Sequence, residues 1–130
     1  MLRTKMNLIM DVIFDNETDI RRVPEILAVP PVTLCQKGEK YYLKEEKIHD
    51  ASRCRFDFDG ENESFSEFVA EQFLPIQKNL QDLSEFVQNN GGEICLTIYF
   101  KQKSRRFDFS IYGEAKEILI KMNADVYFSY

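Results

Sequence analysis

The chain has no tryptophan, a single histidine, and three cysteines placed far apart at positions 35, 54 and 95. Each scarcity narrows the functional classes. A zinc site of the common kind draws four Cys or His ligands from short paired spacings. Here no CxxC occurs and His49 stands alone, so the sequence predicts neither a metal nor a cofactor. An odd number of scattered cysteines reads as reduced, buried thiols rather than a disulfide framework. No apolar run approaches the ~20 residues of a membrane span. The apolar N-terminal stretch after Arg3 and Lys5 is broken by Asp11 and followed by no small-residue cleavage site, so it reads as a strand and not a signal peptide. The expectation is a cytoplasmic protein with no membrane contact.

Basic charge is also short. Seventeen Lys and Arg against 22 Asp and Glu leave a formal net charge of −5. The longest basic cluster, Lys101, Lys103, Arg105 and Arg106, has too little charge to neutralise a phosphate backbone. A nucleic-acid binder is therefore not expected. No GxxxxGK[ST] loop or GxSxG elbow is present, and no Ser or Cys has a recognisable nucleophile context. No catalytic residue is assigned, and an enzyme is not expected.

What remains is ordinary globular material rich in phenyl rings. Hydrophobic residues make up 44% of the 130 positions, with eleven Phe and six Tyr, and the length suits one domain over 1–130. Period-two alternation puts Leu8, Met10, Val12 and Phe14 on one face of a first strand. Asp19 is placed to cap a helix carrying Ile20, Val23 and Leu27, which Pro24 should keep short. Pro30-Pro31 precedes a return strand at Val32 to Cys35. Cys54, Phe56 and Phe58 alternate with Arg53, Arg55, Asp57 and Asp59 in a half-buried strand expected to end at Gly60. Ser64 and Glu67 form a capping box for a stripe of Phe65, Val69, Phe73, Ile76, Leu80, Leu83 and Val87. Pro75 makes that stripe one kinked helix or two.

Ile94, Leu96, Ile98 and Phe100 share a face, as do Phe107, Phe109 and Ile111. The two runs are expected to pair as a hairpin around Gln102-Lys103, with Ile98 opposite Phe107, Leu96 opposite Phe109, Thr97 opposite Asp108 and Tyr99 opposite Arg106. A helix with Ala115, Ile118, Leu119 and Met122, stopped by Asn123, then leads to a strand at Val126 and Phe128. Asn7 to Cys35 and Arg106 to Ser129 thus both read as strand, helix, strand, with Glu25-Ile26-Leu27 and Glu117-Ile118-Leu119 at matching places, which suggests an internal duplication. The expected class is α+β: a mostly antiparallel sheet with helices on one face, built from two β-α-β-like units plus a central helical segment and a hairpin.

Three segments carry a resemblance: Asp19 to Leu27 followed by Ala28-Val29-Pro30-Pro31, then Lys37-Gly38-Glu39, then Asn123 with Asp125-Val126-Tyr127. In these the chain resembles a family of small, mostly bacterial proteins known as domain of unknown function 4279. The resemblance implies a compact α+β fold and a bacterial source, and it brings no established activity. The chain departs from that pattern by lacking a tryptophan after the Lys-Gly loop, and by Ala28 where glycine is usual.

The weighable surface positions are few. His49 with Asp50 and Glu46 could form an acid–base group, but a lone His in a charged stretch is read as solvated. Asp57, Asp59 and Glu61 lack calcium-loop spacing and are assigned to a solvated strand face. Lys37-Gly38-Glu39 is either a tight turn or a place where backbone amides meet a ligand. The leading expectation is a non-enzymatic protein-binding module of immunity type that blocks a toxin, meeting a basic protein partner through Glu45, Glu46, Asp57, Asp59, Glu61 and Glu63. The alternative is a small-molecule-binding regulatory domain, which the paired strand–helix–strand units resemble in ferredoxin-like proteins.

Overall fold

Alternation along the first strand decides the architecture, because it buries one whole face. The computed structural model describes the backbone of residues 3–41, 44–100 and 107–129, and the side chains of these apart from 41 and 44–46. Strand β1 (Thr4–Phe14) buries Met6, Leu8, Met10, Val12 and Phe14 to within 1% of complete. It lies at the centre of a five-stranded sheet ordered β2-β5-β1-β6-β7, where β2 is Thr33–Cys35, β5 Ser52–Asn62, β6 Gly92–Phe100 and β7 Asp125–Ser129. All pairings are antiparallel except β6 with β7. A two-stranded ribbon, β3 (Lys40–Tyr41) with β4 (Lys44–Ile48), stands apart from the sheet.

The helices are α1 (Arg22–Leu27), α2 (Phe65–Phe73), α3 (Gln77–Asn89) and α4 (Gly113–Met122). Their apolar stripes join the even-numbered strand residues in one core, so all four cover the same face of the sheet. The stripe read from Phe65 to Val87 is buried as expected, with Ile76 half-buried at its rim. Pro75 divides it into two helices through a 3-10 turn at Leu74–Ile76. Ser64 accepts a hydrogen bond from the Glu67 amide at 3.1 Å, closing the first half of the capping box.

Connectivity is more specific than the class. Helix α1 carries the chain from β1 to β2 with β5 between them, and α2–α3 carries it from β5 to β6 with β1 between them. These two interlocked split units make the β-α-β-β-α-β plan of ferredoxin-like domains. Helix α4 and β7 then add a parallel strand outside it, through the crossover that parallel neighbours require.

Several local expectations are corrected. The hairpin does not form: β6 pairs with β1 on one side and β7 on the other, leaving no edge for residues 107–111. Ile98 faces Leu8 and Phe128, Leu96 faces Met10 and Val126, and Thr97 faces Ile9 and Tyr127. The expected loop Gln102-Lys103 and the Tyr99–Arg106 pair lie outside the described residues. Of the predicted apolar run only Phe107 is buried, while Phe109 and Ile111 are exposed. That segment closes the N-terminus of α2 instead. The Asp108 carbonyl accepts from the Phe65 amide at 2.9 Å, and the Ser66 hydroxyl donates to the Ser110 carbonyl at 2.6 Å. Amides in the first turn of a helix have no partner within it, and so they attract such segments.

The proposed repeat therefore also moves. The unit that answers Asn7–Cys35 is β5-α2-α3-β6 rather than Arg106–Ser129, since the described residues 107–112 form no strand. Asp19 does not cap α1, which begins at Arg22; its carboxylate accepts from the Arg21 amide at 3.1 Å in the turn before the helix. Pro24 falls in the first helical turn, where a missing N–H costs nothing, and α1 stays six residues long. Gly60 does not end β5. A Cβ there would lie 2.7 Å from the Phe68 ring, so the glycine is what lets α2 sit down on the strand.

Candidate functional site: the open face of the sheet

Since every helix packs on the even-numbered side, the odd-numbered residues of all five strands share the opposite face, and no described element covers it. Pairing sets these residues in rows across the strands. One row runs Thr33, Arg55, Asp11, Cys95, Asp125; the next runs Asp57, Ile9, Thr97, Tyr127; the next Asp59, Asn7, Tyr99, Ser129. Tyr99 and Tyr127 are 45% and 56% exposed, so the face is wet and carries aromatic surface.

The acids expected from the sequence separate into groups. Asp57, Asp59 and Glu61 project from β5 on this face, spaced about 7 Å apart along the strand. All three are exposed. Asn7 on the neighbouring strand donates to Asp57, and to Asp59 at 3.0 Å, holding two carboxylates side by side. Lys5 lies across from Glu61. Glu63 is half-buried beyond the end of β5, where its amide donates to the Glu67 carboxylate at 3.3 Å, so it belongs to the α2 cap rather than the acidic strip. The side chains of Glu45 and Glu46 lie outside the described residues.

Sequence reasoning missed the rest of the face. Arg55 makes a two-pronged ion pair with Asp11 across the strands, at 2.8 and 3.2 Å. Only 15% of the Asp11 side chain is exposed, and its carboxylate holds the Arg55 guanidinium further above its usual range. At the far end Glu93, Cys95 and Asp125 bring one ligand atom each to within 4.8 Å of one another, the one such group of three among the described residues. Burial, then Glu93 and Asp125, pushes the Cys95 thiol up, which disfavours the thiolate that a soft metal would need. The available signal was in β1: Asn7 and Asp11 alternate with Ile9 and Ile13 at the odd positions that follow Lys5.

Lys37, Gly38 and Glu39 occupy the turn between β2 and β3, with Gly38 at φ +90°. The turn is fastened on all sides. The Gly38 amide donates to the His49 carbonyl at 2.9 Å, the His49 amide to the Glu39 carbonyl at 2.8 Å, and the Lys37 amide to the buried Ser52 hydroxyl at 2.9 Å. The Lys37 ammonium donates to the Asp15 carbonyl at 3.2 Å. Beside it lies a cleft of about 460 Å³ lined by Glu17, Asp19, Ile20, Arg21, Leu34, Gln36 and Glu39. Of its polar side chains, Gln36, Glu39, Asp19 and Arg21 are already engaged. Gln36 accepts from the Ile20 amide at 2.9 Å and donates to the Thr18 carbonyl at 3.1 Å. Arg21 is forked onto Asp19, whose carboxyl it holds below the usual range.

Half-buried His49 is thus fixed by its backbone. Asp50 is exposed beside it, and the Glu46 side chain is not among those described. Among the described residues no helix is long and apolar enough to cross a membrane. No protein-family model matches the chain, and no curated protein or solved structure matches it at a significant level.

Proposed function

We propose that this chain is a non-enzymatic protein-binding module whose contact surface is the open face of the sheet, and that its partner is a basic protein. The observation that carries the reading is the uncovered five-stranded face, with Asp57, Asp59 and Glu61 in line along β5. Rigid strands hold these carboxylates at fixed spacing, and an acidic strip speeds encounter with a basic surface and selects against acidic ones. Tyr99 and Tyr127 on the same face supply the aromatic area that anchors interfaces. Together with small size and acidic charge, this supports an immunity-type role in which the module blocks a bacterial toxin, a nuclease being the kind of basic target such a strip suits.

A second reading, a small-molecule-binding regulatory domain, draws support from the split β-α-β topology and from the cleft beside Glu39. The hydrogen bonds already closed within that cleft, and the poor warrant of fold for function, weigh against it.

One experiment separates the two. A pull-down with the tagged full chain is expected to recover a basic protein encoded beside it. Recovery should be lost in the Asp57→Lys, Asp59→Lys, Glu61→Lys variant and should weaken steeply with salt. Recovery of no protein, or recovery indifferent to the charge reversal, overturns the proposal. A melting-point rise with amino acids or nucleotides and no captured protein would point to the second reading.

A further inference from the structure

The two edges of the sheet are built differently. Edge strand β2 has three residues and follows Pro30-Pro31, two devices that prevent another strand from adding on. Edge strand β7 has neither. Its five residues, Asp-Val-Tyr-Phe-Ser, contain no proline and no lysine, and β6 pairs with only one side of it. They include three of the residue types most suited to a pleated sheet. The apolar rim beside this edge is also left partly exposed among the described residues. Phe128 packs its ring on Phe65, Phe100 and Phe109, yet Phe128 and Phe109 remain 38% and 40% exposed.

We infer that β7 pairs with β7 of a second copy of this chain, antiparallel about a two-fold axis at Tyr127, joining two sheets into one of ten strands. The strand's own sequence selects that occupant and that register. A two-fold antiparallel pair must match even sums of position, otherwise the core face of one copy would continue into the open face of the other. Centring on Tyr127 uses all five residues. It sets Val126 against the partner's Phe128 on the helix-covered side, and Tyr127 against the partner's Tyr127 on the open side. Asp125 then meets the partner's Ser129, whereas centring on Asp125 would oppose two carboxylates. The apolar rim at Phe128 and Phe109 is covered by the same contact. This inference does not depend on the basic-partner reading, because a dimer would leave the β5 strip open.

Sedimentation of the full chain over about a hundredfold range of concentration is expected to show twice the chain mass at the upper end and dissociation on dilution. Tyr127→Lys, at an exposed position outside the core, sets two ammonium groups opposite each other. It should raise the dissociation constant more than about tenfold while leaving the melting point of the monomer unchanged. Hydrogen exchange of the unaltered chain supplies an independent measure: amides of residues 125–129 should lose protection on dilution. A chain that is monomeric throughout, a dimer indifferent to Tyr127→Lys, or amides in 125–129 indifferent to dilution would each overturn the inference.

Discussion

The buried thiol of Cys54 shows what one residue does when a strand turns it inward. The side chain has no exposed surface, and burial, followed by the charges of Asp11 and Cys35, pushes its pKa from 9.0 up to about 12. A raised pKa means the fold favours the protonated thiol. The stabilisation is therefore complete below pH 9 and is lost as pH rises towards 12, because only the unfolded chain releases its proton in that window. In urea unfolding, the stability of the unaltered chain should fall about 1.4 kcal/mol per pH unit more steeply there than that of Cys54→Ala. Equal slopes would mean that the thiol is not desolvated. Cys54 was legible as an inward residue from alternation alone. Arg55, its neighbour, was legible only as outward, since the ion pair with Asp11 depends on which strand lies alongside.

At the scale of the element, the end of α1 makes a demand on the backbone rather than on packing. Ala28, where the resembled family usually has glycine, is the C-terminal cap of α1 and sits at φ 59° and ψ 36°. A Cβ in that left-handed region is strained, and glycine is not. Ala28→Gly is accordingly expected to stabilise the chain by about 0.5–1 kcal/mol, after the added flexibility of the unfolded state is set against the relief of strain. The midpoint of urea unfolding measures it, and destabilisation would show that the Ala28 side chain carries packing of its own. Most helix stripes, caps and breakers were legible because their causes lie within four or five residues: Ser64 with Glu67, Pro75 and the stop at Asn123 stand where the pattern puts them, and Asp19 misses the α1 cap by two residues. The hairpin failed because apolar alternation says which face a strand buries and nothing about which neighbour it takes.

Across the whole molecule, strand order sets where stability is concentrated. β1 is paired along its whole length with β5 and from Met6 to Phe14 with β6, and it buries every even residue, whereas β2 and β7 are edges with half-buried or exposed residues. Amide exchange in the native state should therefore be slowest at Leu8, Met10 and Val12, near the global unfolding limit, and fast in residues 33–35. Slow exchange confined to α2 and α3 instead would place the stable unit in the helices. The same order exposes the odd-numbered face, on which Asp57 and Asp59 were anticipated as solvent-facing. Asn7, Asp11, Cys95 and Asp125 entered it only through β1, β6 and β7 becoming neighbours.

The sequence by itself determined the class of the fold, the inward face of each strand, the helix stripes and the acidic character of the surface. These follow from periodicity, local steric limits and charge count, which act over a few residues or over the whole composition. Only the tertiary structure decided that β5 and β6 flank β1, that β6 takes β7 instead of residues 107–111, and that no described element covers one face of the sheet. Those outcomes turn on competition among distant segments for the same edges, and the free energies that settle it belong to pairs of strands rather than to any one of them.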